Sequence, residues 1–258
     1  MRHPFSVLLA VLLTTAGAKA QWLTRTYPLV TGWNGIWLAG DASHTPVADL
    51  MAAYPAITEV WRWNPNPDQI EFSQTPSSPT TGSEEWTVWK RGVPEEQQLT
   101  GMLPNSSYLI RCTAPVTLSL KQMAVPPSAA WLISGANFLG FPAAAPNTGA
   151  PTLSNYLSSF PSASSTVLAP ATKIYKYIGG ELGTSNPIQV APGSEILSAD
   201  RAYWFNVATV SDFTGPVEYE FPSSAGIAFG RTGATLSVGV MNRSTGPVKS
   251  LTVATLNQ

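Results

Sequence analysis

The chain has 258 residues, a formal net charge of −1 and only 11% charged residues. A charge so close to zero removes the electrostatic case for nucleic acid or an anionic membrane as partner. Nine Trp, nine Phe and eight Tyr supply more apolar area than a disordered chain carries, and 23 Pro with 20 Gly suit a turn-rich β protein of about one to three domains.

Residues 1–20 read as a secretory signal peptide. Arg2 and His3 open it, Val7 to Leu13 form its apolar core, and Ala18-Lys19-Ala20 is a small-x-small cleavage site. Cleavage leaves Gln21 first. The apolar run is short of the ~20 residues of a membrane span, which weighs against an N-terminal anchor, and no second apolar segment follows, so no integral span is expected in the mature chain. The expected location is therefore secreted, or at the bacterial cell surface or periplasm. Cys112 is the only cysteine, so the fold is expected to rest on core burial and not on a disulfide.

The chain is organised around Gly32-Trp33-Asn34-Gly35-Ile36-Trp37-Leu38, and a weaker copy recurs as Gly135-Ala136-Asn137-Phe138-Leu139-Gly140-Phe141. Three further matches follow in the same order. Val47, Leu50, Met51 and Tyr54 have helical spacing, as do Leu153, Tyr156, Leu157 and Phe160. Thr45 is the candidate cap of the first helix, with Pro46 in its first turn, and Pro55 and Pro161 end the two. Glu59-Val60-Trp61-Arg62-Trp63 matches Lys173-Ile174-Tyr175-Lys176-Tyr177. Leu103 leading to Tyr108-Leu109-Ile110 matches Leu197 leading to Tyr203-Trp204-Phe205. Ordered matches of this kind predict an internal repeat.

In a strand, alternate side chains share a face. Asn34, Ile36 and Leu38 then lie together, as do Asn137, Leu139 and Phe141, and this shared face is the expected core. Asn34 and Asn137, flanked by apolar residues, are expected to be buried and bonded to backbone. Further strands are predicted at Trp86 to Trp89, Gly101 to Cys112 and Val116 to Met123, with a flexible hairpin tip from Ser73 to Glu85. Pro126-Pro127 is the clearest boundary. Beyond Pro222, Ile227 to Gly230, Thr235 to Met241 and Ser250 to Leu256 read as strands of a partial immunoglobulin-like segment. The expected organisation is signal peptide 1–20, first β module 21–126, second module 127–222 and a short β segment 223–258. The expected fold class is mainly β, with one short helix per module and each module sandwich-like or barrel-like.

Gly32-Trp33-Asn34, a short helix, Val60-Trp61-Arg62-Trp63, and Leu103-Pro104 leading to Tyr108-Leu109-Ile110 resemble the "GWN…L-x-P-G-x-x-Y-W-I" modules of bacterial secreted and cell-surface proteins. The first copy lacks the glycine before its tyrosine, and the second lacks the tryptophan after Gly135. The segment from Ile227 resembles the start of a bacterial immunoglobulin-like domain. The resemblance implies an accessory part of an exported protein, without catalytic residues.

The residues themselves offer little catalysis. After signal cleavage His44 is the only histidine, which removes multi-His zinc sites and any Ser-His-Asp triad not built on it. Asp41-Ala42-Ser43-His44 is compact enough to read as a polar loop. Asp41, Asp68, Glu71, Glu84 and Glu85 are the carboxylates to weigh for glycoside hydrolysis, and none sits in a motif. No phosphate loop, calcium loop or other cofactor signature occurs, so no cofactor or metal is expected.

Seven of the nine tryptophans lie between Trp22 and Trp89. Trp61 and Trp63 align with Tyr175 and Tyr177 and read as structural. Trp33, Trp37, Trp86 and Trp89 have no aromatic counterpart, and they are the candidate ligand-binding residues: an exposed ring cluster stacks on sugar C–H faces or meets a partner. The sequence therefore predicts a non-enzymatic exported protein with a structural or adhesive role at the bacterial surface. Its expected partner is an extracellular glycan or another surface protein. The alternative is a carbohydrate-binding accessory protein using these tryptophans, and behind it a glycan-active enzyme.

Overall fold

The computed structural model describes residues 22–64, 85–125, 135–142, 150–207 (apart from 159, 161–163, 166, 171 and 184), 217–220 and 237–243. The expected signal peptide, residues 73–84 of the expected hairpin tip, the Pro126-Pro127 boundary, and the strands expected at 227–230 and 250–256 lie outside these residues.

The protein is mainly β. In the first module, β1 (Trp22–Leu29) pairs with β6 (Val116–Met123) as an antiparallel ribbon, its one partner strand among the described residues. Strands β2 (Gly32–Leu38), β3 (Ile57–Trp63), β4 (Trp86–Lys90) and β5 (Ser106–Cys112) form an antiparallel sheet in the order β2-β5-β3-β4. The ribbon lies over one face of this sheet. Tyr27, Leu29, Leu118 and Leu120 from the ribbon meet Ile36, Leu38, Val60, Tyr108 and Ile110 from the sheet. Helix α1 (Val47–Ala52) adds Val47 and Met51 to the same core.

The second module has β7 (Gly135–Gly140), β8 (Ile174–Lys176), β9 (Ile188–Val190) and β10 (Ala202–Val207), again antiparallel, in the order β7-β10-β8-β9. Element for element this is the order of the first sheet. The registers correspond as well. Ile36 faces Tyr108 as Leu139 faces Tyr203, and Trp61 faces Leu109 as Tyr175 faces Trp204. Helix α2 (Leu153–Ser158) holds the place of α1. The Val47 N–H donates to Thr100 O (3.0 Å) and the Leu153 N–H to Glu195 O (2.8 Å), each acceptor eight residues before its module's tyrosine. The two helices start differently. Thr45 does not cap α1, whose N-cap is Pro46 with no side-chain bond, so the Thr100 carbonyl takes the orphan donor. Thr152 Oγ1 does cap α2, accepting from the Asn155 N–H at 3.1 Å.

Two local motifs set how the sheets start and close. Gly32 (φ +90°) and Gly135 (φ +111°) sit in conformations that favour glycine, and two residues later an asparagine amide folds back onto each glycine carbonyl, at 3.0 and 3.1 Å. Asn34 and Asn137 are buried, as expected. At the other end the Tyr108 hydroxyl accepts from the Leu103 N–H (2.6 Å) and donates to Leu103 O (3.2 Å). This is the geometry of a tyrosine corner. The Tyr203 hydroxyl instead donates to Glu195 Oε1 at 3.1 Å, eight residues upstream.

Strand β11 (Val217–Glu220), within the residues assigned from sequence to the second module, pairs with β12 (Gly239–Asn242) across the expected boundary at 222.

Candidate functional site

The candidate binding residues are not on the surface. Trp33, Trp37, Trp86 and Trp89 are between 1% and 7% exposed. The expectation of an outward-facing cluster is corrected, for two physical reasons. First, the far face of the first sheet does not meet solvent. It packs on the equivalent face of the second sheet, and Trp33, Trp37, Trp61, Trp63, Trp86, Val88 and Leu109 join Ala136, Phe138, Tyr175, Tyr177, Ala202 and Trp204 in one apolar layer. Second, Trp86 and Trp89 are three residues apart on one strand and so point to opposite faces. Trp89 faces the ribbon-side core with Val60 and Ile110.

Sizes are complementary at corresponding positions of this layer. Gly35 matches Phe138 in register, and a Cβ on Gly35 would lie 3.3 Å from Phe138 Cζ. Trp37 matches Gly140, whose missing Cβ leaves room for the Trp37 ring. Trp204 fills the centre: its ring centroid is 5.0 Å from Trp63, 6.2 Å from Trp86 in a stacked arrangement, and 5.6 Å from Phe138. Contacts of this kind contribute beyond their buried area.

The seam between the modules is also hydrogen-bonded. β2 would be an open edge of its sheet. Instead the N–H groups of Trp33, Gly35 and Trp37 donate to Gly180 O, Tyr177 O and Asp200 O at 2.9–3.1 Å, and Trp33 O accepts from the Gly179 N–H at 2.7 Å. The second module thus closes the edge of the first, a standard protection against unwanted pairing. Gly180 comes so close that a Cβ on Gly32 would lie within 2.5 Å of its carbonyl carbon. Buried Asn186 clips this loop in place, with its amide on Gly180 O (3.0 Å), Gly179 O and Trp33 O (3.3 Å), and its oxygen accepting from the Ile178 N–H (3.1 Å). Nothing in the sequence pattern singled out Asn186 or Asp200; the Gly179-Gly180 pair, a turn signal, marks the loop they serve.

Beside the seam lies a cleft of about 360 Å³, walled by Thr26 to Val30 of β1 and its turn, Asn34 to Ile36 of β2, and Tyr177, Ile178, Ser198, Asp200 and Arg201 of the second module. Asp200 Oδ1 accepts from Arg25 across the seam at 3.0 Å. Burial pushes the Asp200 carboxyl above its ordinary pKa, and Arg25 only partly offsets this. Burial likewise pushes the Tyr27 hydroxyl up to about 12, even with Gln122 bonded to it at 2.9 Å. A second ion pair joins Arg111 to Glu59 (3.2 Å) and, across the seam, to Glu181 (3.3 Å).

The residues weighed for catalysis do not converge. Asp41 Oδ1 accepts from the Ser43 backbone N–H at 2.8 Å, forming a local turn, and the His44 ring packs edge-on against Trp22 at 4.5 Å. Asp68, Glu71 and Glu84 lie outside the described residues. Buried Cys112 has its thiol pushed up to about 11 by burial, away from the reactive thiolate. Among the described residues no group of three or more His, Cys, Asp or Glu is placed to hold a metal ion, and no helix is long and apolar enough to cross a membrane.

No protein-family model, curated protein or solved structure matches this chain.

Proposed function

We propose that this is an exported, non-enzymatic protein with a structural or adhesive role at the bacterial cell surface, built from two copies of one β module. The observation that carries the reading is the shared aromatic layer. The face on which the first module concentrates its tryptophans is spent on holding the second module, and the edge of β2 is closed by it. Two modules joined by a common core and a backbone-bonded seam behave as one stiff unit, which suits a spacer or presenting element. The signal-like residues 1–20 and the resemblance to bacterial surface modules support the location and the duplicated origin.

Protease shaving of intact producing cells, with mass spectrometry of the released chain, tests the role. The expected result is a surface-accessible chain beginning at Gln21. A chain retained in the cytoplasm with residues 1–20 intact would sink it, as would turnover of any polysaccharide by the purified protein. The carbohydrate-binding alternative requires rings that are buried, Trp33, Trp37 and Trp86 in the seam and Trp89 in the ribbon-side core. Glycan-array binding that is lost in Trp33→Ala, with the unfolding midpoint unchanged, would restore it.

A further inference from the structure

We propose that the cleft beside the seam is a docking groove for an extended, acidic polypeptide segment, which adds as a third strand to the edge of β1 that has no partner strand among the described residues. The proposal rests on the adhesive side of the role above and gives it a partner chemistry.

The backbone fixes which way the β1 edge points. In an antiparallel ladder the N–H and C=O of one residue point to the same side, and successive residues alternate. Met123 exchanges both of its bonds with Asp41 (2.8 and 2.9 Å), so it points away from β1. Its partner Trp22 therefore points away from β6. Ser119 gives the same answer: its N–H and C=O both bond the Tyr54 hydroxyl (3.1 and 3.0 Å), and its partner is Thr26. Thr24, Thr26 and Pro28 thus present their backbone outward, and proline falls where a missing N–H costs the ladder nothing. None of these outward groups has a partner among the described residues.

That edge forms one wall of the cleft, since Thr26 and Pro28 line it. The layers explain why there is room. The ribbon is two strands wide, whereas the sheet below has four strands and is widened further by the segments that close β2. A third strand beside β1 would lie above those segments, continuing in the upper layer the edge pairing that already joins the modules in the lower one.

The walls say what kind of segment fits. Val30 and Ile178 are 45% and 40% exposed at the rim and suit a β-branched or aliphatic side chain. With Asp200 held by Arg25, Arg201 is the lining charge left without an ion pair among the described residues, and an acidic side chain of the segment neutralises it. Main-chain bonds centred on Thr26 give affinity, and the rim and Arg201 give selectivity, as in other strand-addition sites.

The test pans a phage-displayed library of random peptides of about ten residues against the mature chain and measures the enriched peptides on variants. Thr26→Pro removes the outward N–H without touching the ladder, and Arg201→Glu reverses the charge. The expected result is enriched acidic peptides with alternating β-branched residues, bound about tenfold more weakly by either variant, and Asp→Lys versions of the peptides that recover binding on Arg201→Glu. Peptides indifferent to both variants, a library yielding no binders, or capture of glycans alone would overturn the proposal. Cell-surface exposure and polysaccharide turnover are read separately, so failure here is distinguishable from failure of the proposed role.

Discussion

Gly140→Ala is the sharpest perturbation of the seam. A Cβ at this position would overlap Trp37 Cγ and Cβ and lie 2.6 Å from Cδ2. Ordinary carbon–carbon contact is about 3.5–4.0 Å, so the indole has to retreat by roughly an ångström. It has nowhere to go, because Trp37 is fully buried in the layer between the sheets. Overpacking of this kind costs about 1–3 kcal/mol. Gly193→Ala is the matched control: its added Cβ meets nothing within 4 Å, and its φ is outside the left-handed region. Equilibrium denaturation with urea should show a lowered midpoint for Gly140→Ala, none for Gly193→Ala, and partial recovery when Trp37→Leu is combined with Gly140→Ala, since the two positions are in contact and couple. A Gly140→Ala midpoint equal to wild type would refute the close packing of Trp37 on β7.

Two further predictions concern polar groups. Asn34→Ala removes an acceptor for the Val30 N–H (3.0 Å) and donors to Val30 O (2.8 Å) and Gly32 O (3.0 Å), and should cost about 1–3 kcal/mol in the same denaturation assay. Asp200 has a folded-state pKa raised above its ordinary 3.8, so the folded state holds its proton more tightly than the unfolded chain does. Its contribution to stability therefore grows as pH falls from the raised value towards 3.8 and is flat below it, and the stability difference between wild type and Asp200→Asn, measured by denaturation at several pH values, should follow that course.

Much of the fold is written in local pattern. The alternation of Asn34, Ile36 and Leu38 places one face of β2 in a core, and the spacing of Val47, Met51 and Tyr54 gives α1. Trp61 lies opposite Leu109 as Tyr175 lies opposite Trp204. A period of two, however, says only that a strand has two faces, not what covers the second one. Trp33 and Trp37 therefore read as a surface until the second sheet is set against them. The pairing of Gly35 with Phe138 and of Trp37 with Gly140 is a long-range fit between residues that look merely mismatched along the chain. The Thr100 carbonyl on α1 and Asn186 on the seam are likewise contacts between segments distant in sequence, which local propensity does not encode. Trp89 alone was open to a stricter local reading, since three residues from Trp86 cannot place both rings on one strand face.

The central claim is that one aromatic layer makes the two modules a single structural unit. Hydrogen exchange on wild type and Trp204→Ala tests it most directly, because Trp204 belongs to the second module but touches Trp63 and Trp86 of the first. Loss of this ring should cost about 3–5 kcal/mol and reduce amide protection in both sheets, including Trp33, Gly35 and Trp37 of β2. Loss of protection confined to β7, β8, β9 and β10, with β2 to β5 unchanged, would contradict the claim and leave two modules that merely sit side by side.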